Sequence, residues 1–426
     1  MFRLIHSADW QLGARFVQFG AKASHLREAR MATLKRTLEL AAKHEVDAFL
    51  IAGDLFEDNQ VDDSLVTATV DLFRAHPALP IYLLPGNHDP YTGPDSVWQR
   101  KAFQNAPAHV HVVRESGVTD LGGNTFLLAS PLHQKLSTTD PSLKLVELAA
   151  GLPADAIKIG LTHGALAIEA KHQPNDFPIA LNAATRAGLD YLGIGHWHNW
   201  LPDTDGGRIV MPGTPEPDRF ANDASGHVAL VEITAHGQAP RVQALPVATL
   251  SWRSLSFDFL TAEASRASLA ATLNELKPAA ENTVLRVTFT GVASPTAMAE
   301  ARAWIEPLLA SFLVGQIHDR TRVSLSAVEL ADLQTRHPIL AQVLSDIDRI
   351  ETLAGGTVAA PAPTAFASHD PGDSPPASAP SPAAPLTLAE VQALLTPSRI
   401  DLAQLTPEFF AQLRQTVFQT LQEVAR

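Results

Sequence analysis

A chain of 426 residues, 46% hydrophobic and 18% charged, has apolar material for two or three domains with their own cores. It contains no apolar run of about 18 residues that could span a bilayer, and without Cys it has neither disulfides nor thiolate metal sites, so any metal is held by oxygen and imidazole donors. A net charge of -13 excludes nucleic-acid binding by bulk electrostatics alone but leaves room for a local basic face.

The N-terminus reaches Arg3, His6 and Asp9 before a signal-type apolar stretch develops, so the expected compartment is the cytoplasm, with no membrane association. The first strand-type run is FRLI at 2–5, followed by HSADWQLG. A helical period over 26–44 places Leu34, Leu38, Ala41 and Ala42 on one face. Arg15, Lys22, Arg27, Arg30, Lys35 and Arg36 concentrate positive charge beside Asp9, with only Glu28 against them. Further strand-type runs follow at 47–53, 81–86, 125–130, 157–163, 189–198 and 227–233. Short strands buried on both sides and separated by helical segments predict a layered α/β domain over 1–235.

Over 236–353, a helix-like stretch at 262–276, the strand VLRVTFTG at 284–291 and a helix near 296–313 predict a small second α/β domain. The composition then changes: 354–385 is rich in Pro, Ala and Ser, too poor in large apolar residues to fold, and reads as a semi-extended linker. Amphipathic character returns at 386–426, with Thr387 and Thr406 as N-caps and Pro407 at a first helical position. Leu405, Phe409, Phe410, Leu413, Val417 and Leu421 form a stripe that either packs back on its own domain or binds a partner; the linker favours a partner.

Five strand-type runs end in side chains suited to a hard cation: Asp9 and Gln11, Asp54, Asn87 and His88, His163, then His196 and His198. In open α/β sheets, sites assemble at the carboxyl ends of strands. Residues two apart on an extended segment point the same way, so Asp9 with Gln11, and His196 with His198, are each expected to reach one cavity.

This ordered set (Asp-x-Gln, Gly-Asp, Gly-Asn-His-Asp, Thr-His-Gly and Gly-His-x-His) resembles the calcineurin-like metallophosphoesterases, whose signature reads DxH, GDxxD, GNHD, H and GHxH. Within them the chain resembles the SbcD class of DNA-repair exonuclease subunits, including the shorter YhaO-like members, through HSADWQLGARF, GDLFEDNQV and PGNHDP. The resemblance covers residues 1–235 and, more loosely, 236–353. It implies a four-layer α/β sandwich of two mixed β-sheets flanked by helices, with a small α/β capping domain and C-terminal helices. It further implies two Mn²⁺ ions per chain, with Mg²⁺ as the alternative, bridged by Asp54. One ion falls to Asp9, Gln11 and His198, the other to Asn87, His163 and His196, and His88 contacts the scissile phosphate. Two cations about 3.5–4 Å apart stabilise the attacking and leaving oxygens of a phosphodiester.

Gln11 stands where the family has histidine. Its carbonyl oxygen can reach a metal and suits Mn²⁺ or Mg²⁺, which favours a modified site over a dead one. The acidic segment 57–63 departs from what a phosphate backbone prefers; it either keeps duplex from that rim or lines a path remote from DNA. The expectation is a metal-dependent DNA nuclease subunit, a homodimer that acts with a coiled-coil SbcC-like ATPase through 386–426, with Arg15, Arg27 and Arg30 as phosphate contacts. The alternatives are a phosphoesterase for nucleotides or phosphoproteins, and a catalytically impaired scaffold.

Overall fold

The computed structural model describes residues 1–169, 173–222, 224–323 and 327–353, with Phe410 and Leu413 beyond them. Apart from those two residues, the expected linker at 354–385 and helical segment at 386–426 lie outside the described residues. The chain forms two compact units, the first of Met1–Ser254, Leu276–Arg286 and Leu309–Gly315, the second of Leu255–Glu275, Val287–Leu308 and Gln316–Arg426.

In chain order the first unit runs through β1 (Phe2–Ser7), α1 (Ala23–Lys43), β2 (Ala48–Ala52), α2 (Asp63–Arg74), β3 (Ile81–Leu84), α3 (Lys101–Gln104), β4 (Val110–Val112), β5 (Gly117–Gly122) and β6 (Thr125–Ser130). It continues through α4 (Leu143–Ala149), β7 (Ile157–His163), α5 (Ala183–Arg186), β8 (Tyr191–Gly195), β9 (Leu201–Thr204), β10 (Ile209–Met211), β11 (His227–Ile233) and β12 (Arg241–Pro246). Two six-stranded sheets result, ordered β12-β11-β1-β2-β3-β4 and β5-β6-β7-β8-β10-β9. Both are mixed: β1 pairs parallel with β2 and antiparallel with β11, while β6, β7 and β8 pair parallel and β5 joins β6 antiparallel.

The alternation along β2 shows why the layers form. All five of its residues are buried. Phe49 and Ile51 face outward to Leu34 and Leu38 of α1 and Val66, Val70 and Phe73 of α2. Ala48, Leu50 and Ala52 face inward, against Leu127, Ala129, Ile159, Leu161 and Tyr191 of the second sheet. The outer face of the second sheet, with Leu128, Leu192 and Ile194, is covered by Leu145 of α4 and Ala183 and Ala184 of α5. The order is therefore helix, sheet, sheet, helix, the four-layer α/β sandwich that the resemblance implies. The first sheet extends past 235, because β12 pairs with β11 from His227↔Pro246 to Glu232↔Arg241.

The remaining elements are β13 (Ser251–Asp258), α6 (Ala262–Leu276), β14 (Thr283–Thr290), β15 (Val292–Ala293), α7 (Pro295–Leu309), β16 (Val314–Asp319), β17 (Arg322–Val323), α8 (Ala327–Arg336) and α9 (Pro338–Leu353). β13, β14 and β16 form a three-stranded sheet. In the second unit the rings of Phe257, Phe259 and Phe289 pack with centroids 5.0 to 5.5 Å apart. Among the described residues, no helix is long and apolar enough to cross a membrane.

Candidate metal centre

Every metal-binding residue expected from the sequence follows a strand of the first unit. β1, β2 and β3 are parallel neighbours in one sheet, β7 and β8 in the other, so their carboxyl ends bring Asp9, Asp54, Asn87, His163 and His196 together. The loops after β1 and β2 stay bonded beyond the strands, with Asp9 N donating to Gly53 O at 3.2 Å and Gln11 N to Asp54 O at 3.0 Å. The backbone here is not the extended one assumed from the i, i+2 spacing. Asp9, Gln11, Asp54 and His196 have φ of 55, 45, 55 and 122°. Non-glycine residues in such regions cost about 1–3 kcal/mol each and gather at functional sites. Two glycines make room: a Cβ on Gly53, whose φ is 88°, would overlap the His163 ring, and a Cβ on Gly86 would overlap the Asp54 carboxylate.

The imidazoles are oriented from outside. His163 Nδ1 donates to the Ala52 carbonyl at 2.7 Å, and His196 Nε2 donates to Asp176 Oδ2 at 2.8 Å. These partners set the tautomers and leave His163 Nε2 and His196 Nδ1 as lone-pair donors. The two nitrogens lie 2.8 and 3.1 Å from the same oxygen, Asn87 Oδ1, and Asp54 Oδ2 lies 3.4 Å from His163 Nε2. Four acceptor atoms facing one another in a buried pocket repel unless a cation stands among them. Burial alone would lower the pKa of His163, yet the charge and hydrogen bond of Asp54 and the charge of Asp9 raise it to about 9. In the absence of a metal, a proton supplies the positive charge these carboxylates demand.

The resemblance groups Asp9, Gln11 and His198 around the same Asp54. Ligand atoms of Asp9, Asp54 and His163 lie within 4.8 Å of one another. Burial raises the Asp9 pKa, and the His196 backbone N–H donates to both its oxygens at 3.0 Å. For Asp54, burial is outweighed by the His163 charge and hydrogen bond and by His88, which together hold its carboxyl below the usual range. Gln11 is 2% exposed; its Nε2 donates to Asp54 Oδ2 at 3.1 Å, while its Oε1 is buried without a hydrogen-bond partner. An orphaned buried carbonyl oxygen costs about 1–3 kcal/mol, a cost that a coordinated cation removes. The donor set of carboxylate and amide oxygens with imidazole nitrogens, and no sulfur, suits divalent cations. His198 Nδ1 lies 3.0 Å from Asp218 Oδ2. Burial would lower the His198 pKa, but that hydrogen bond and charge raise it.

His88 sits beside this cluster. Its backbone N–H donates to Asp54 Oδ1 at 2.9 Å and its Nδ1 donates to the Glu57 carbonyl at 3.0 Å. Arg15 and Arg27 are exposed and line a groove of about 760 Å³ with Leu12, Met31, Asp58 and Asp62. Arg30 is placed differently from the expectation of a phosphate contact. It is 1% exposed, donates through Nη1 to the Trp10 carbonyl at 2.5 Å and stacks 5.4 Å from the Phe16 ring centroid. Its position on the buried face of α1 turns its charge into the domain.

Three carboxylates escaped the reading of the sequence. Asp89 accepts from Gly86 N at 2.8 Å and Phe56 N at 3.0 Å and so fixes the turn carrying Asn87 and His88. Its fourth place in GNHD was a usable signal. Asp176 and Asp218 lie in loops away from strand ends, where no spacing marks them.

Two face-to-face sheets thus present carboxylate, amide and imidazole donors at their strand ends, a set able to hold divalent cations. Residues 2–200 match the family model described as Calcineurin-like phosphoesterase. Over 124 residues the chain is 34% identical to the SbcD component of nuclease SbcCD from Rhodobacter capsulatus, a match covering 28% of this chain and 26% of that protein. Over 242 residues it is 22% identical to the uncharacterized metallophosphoesterase YhaO of Bacillus subtilis, covering 54% and 57%. Over 55 residues it is 40% identical to the SbcD component of nuclease SbcCD from Escherichia coli, covering 13% and 12%. The matches span at most 57% of the length of these curated relatives. A solved dimetal phosphatase from Danio rerio is similar with a TM-score of 0.35 and 12% identity, covering 57% of this chain and 98% of that one.

Proposed function

We propose that the chain is a Mn²⁺-dependent DNA nuclease subunit that hydrolyses phosphodiester bonds and works with a coiled-coil ATPase. The observation that carries this reading is the convergence of Asn87 Oδ1, His163 Nε2, His196 Nδ1 and Asp54 Oδ2. These four would hold one cation; Asp9, Gln11, His198 and the shared Asp54 would hold the other, with the orphaned Gln11 oxygen as a ligand. Two such ions supply Lewis acidity and an activated water to phosphoester hydrolysis. The chain's own residues do the rest. Asp54, kept ionised, fixes both cations in one frame. His88, whose Nδ1–H is held by the Glu57 carbonyl, presents Nε2 to the phosphate and, as the imidazolium, donates a hydrogen bond or proton from Nε2 to the leaving oxygen. Arg15 and Arg27 position the nucleic-acid backbone without reading sequence, so binding weakens steeply with salt.

The nuclease names of two relatives support DNA as substrate, and the segment 386–426 is the candidate for docking on the ATPase. A second reading, a small phosphodiester as substrate, is favoured by Asp58 and Asp62, which line the same groove as Arg15 and Arg27. Turnover of linear duplex, single-stranded DNA and bis(p-nitrophenyl) phosphate with Mn²⁺, Mg²⁺ or EDTA decides between them. Faster metal-dependent cleavage of DNA is expected; turnover of the small diester alone overturns the nuclease reading. Deletion of 386–426 is expected to leave cleavage intact and to abolish co-purification with the ATPase.

A further inference from the structure

The two outer histidines of the centre are held alike but ligated unequally. His196 belongs to a cluster that already contains a second imidazole, His163. Among the described residues, His198 is the one imidazole that the two-ion reading assigns to the ion of Asp9 and Gln11, because position 11 carries glutamine. His198 Nδ1 is taken by Asp218, which leaves Nε2 as the only ring atom able to meet a cation. Asp218 lies in the loop after β10 and is itself fixed on three sides. Asn222 Nδ2 donates to its Oδ1, Arg219 donates through Nε to Oδ1 at 3.3 Å and through Nη2 to Oδ2 at 3.4 Å, and its side chain is only 14% exposed. Asn222, 8% exposed, is anchored in turn by the bond of its N–H to the Arg219 carbonyl at 3.3 Å. A carboxylate with so little freedom holds the ring it touches in one tautomer and one orientation.

Resting on the two-ion reading above, we propose that Asp218 is the positioning residue for the first cation, and that its hold on His198 makes up for the imidazole missing at position 11. A carboxylate on the far nitrogen of a ligating histidine raises the basicity of the near nitrogen, and its loss typically lowers metal affinity about 10–100-fold. Where two imidazoles share an ion, such a loss is spread over both. Where one imidazole stands beside an amide oxygen, it falls on that ion alone.

The test is calorimetric titration of the metal-stripped full chain with Mn²⁺, with no substrate present. Wild type is expected to take up two ions. Asp218→Asn should weaken one of them about 10–100-fold while the chain stays folded in EDTA, and adding Gln11→His should restore that ion. Asp176→Asn should weaken the other ion, with no rescue by Gln11→His. Two ions of wild-type affinity in Asp218→Asn overturn the proposal alone; fewer than two in wild type overturn the two-ion reading and the proposal with it. Where Asp218→Asn does not fold, Asn222→Ala, which loosens the same carboxylate but keeps its charge, is titrated instead. A smaller loss at the same ion is then expected, and an unchanged isotherm overturns the proposal.

Discussion

Gly86→Ala adds one methyl group against Asp54, the residue proposed to hold both cations. Built on the existing backbone, that methyl lies 2.5 Å from the Asp54 backbone N and 2.9 Å from its Cγ, and it overlaps Oδ1. Rotation of the Asp54 side chain relieves the carboxylate contact but not the backbone one. The loop cannot retreat freely either, since Gly86 N is bonded to Asp89 Oδ1 at 2.8 Å and His88 N to Asp54 Oδ1 at 2.9 Å. Overpacking of this kind costs about 1–3 kcal/mol, and each kcal/mol lowers the melting temperature by roughly 2–4 °C in a unit of this size. The second effect is functional, because on the two-ion proposal a displaced Asp54 is lost to both ions. Calorimetric melting in EDTA and again in excess Mn²⁺ separates the two. The variant should melt lower in EDTA and gain far less from Mn²⁺ than wild type, whose gain grows with the logarithm of metal concentration over Kd. An unchanged melting temperature in EDTA with a full Mn²⁺ gain would refute the close approach of Gly86 to Asp54.

Asp89→Asn turns an NH₂ toward one of the two backbone donors, Gly86 N or Phe56 N, and should destabilise the fold by about 1–3 kcal/mol in urea unfolding; an unaltered midpoint would contradict its role in holding the turn. Gln11→His should raise Mn²⁺ affinity at the first ion, and a fall would mean that its surroundings are built for glutamine. Burial lowers the pKa of His6 to about 3, and its Nδ1 lies 2.7 Å from the Tyr191 hydroxyl. The folded state thus keeps His6 neutral, whereas the unfolded state takes up a proton below about 6.5. The resulting stability is complete above about 6.5 and declines toward pH 3, by up to about 1.4 kcal/mol per pH unit. His6→Gln should therefore lose less stability than wild type between pH 7 and 5, and equal losses would refute the assignment.

The strands that end in ligands were legible because each is a short run of apolar residues buried on both sides and closed by glycine or a polar donor. β12 was not, since RVQALP is largely exposed and carries the weak alternation of an edge strand. The candidate ligand set was proposed from order along the chain, but its backbone could not be read: spacing suggested an extended Asp-x-Gln, whereas both residues take left-handed φ. Charge alone misplaced Arg30, because a basic residue on a helix gives no sign of facing a buried carbonyl. Asp176 and Asp218 reach the histidines from loops, through contacts that exist only once the sheets have packed.

Cleavage of end-labelled linear duplex by wild type and His88→Ala, each with its Mn²⁺ content measured, bears most directly on the proposed chemistry. Wild type should degrade the DNA with Mn²⁺ and not with EDTA, and His88→Ala should bind both ions and DNA yet leave the duplex intact. A folded wild-type chain that holds two ions but cleaves neither DNA nor a small phosphodiester would contradict a catalytic centre, and full activity in His88→Ala would remove that residue from the reaction.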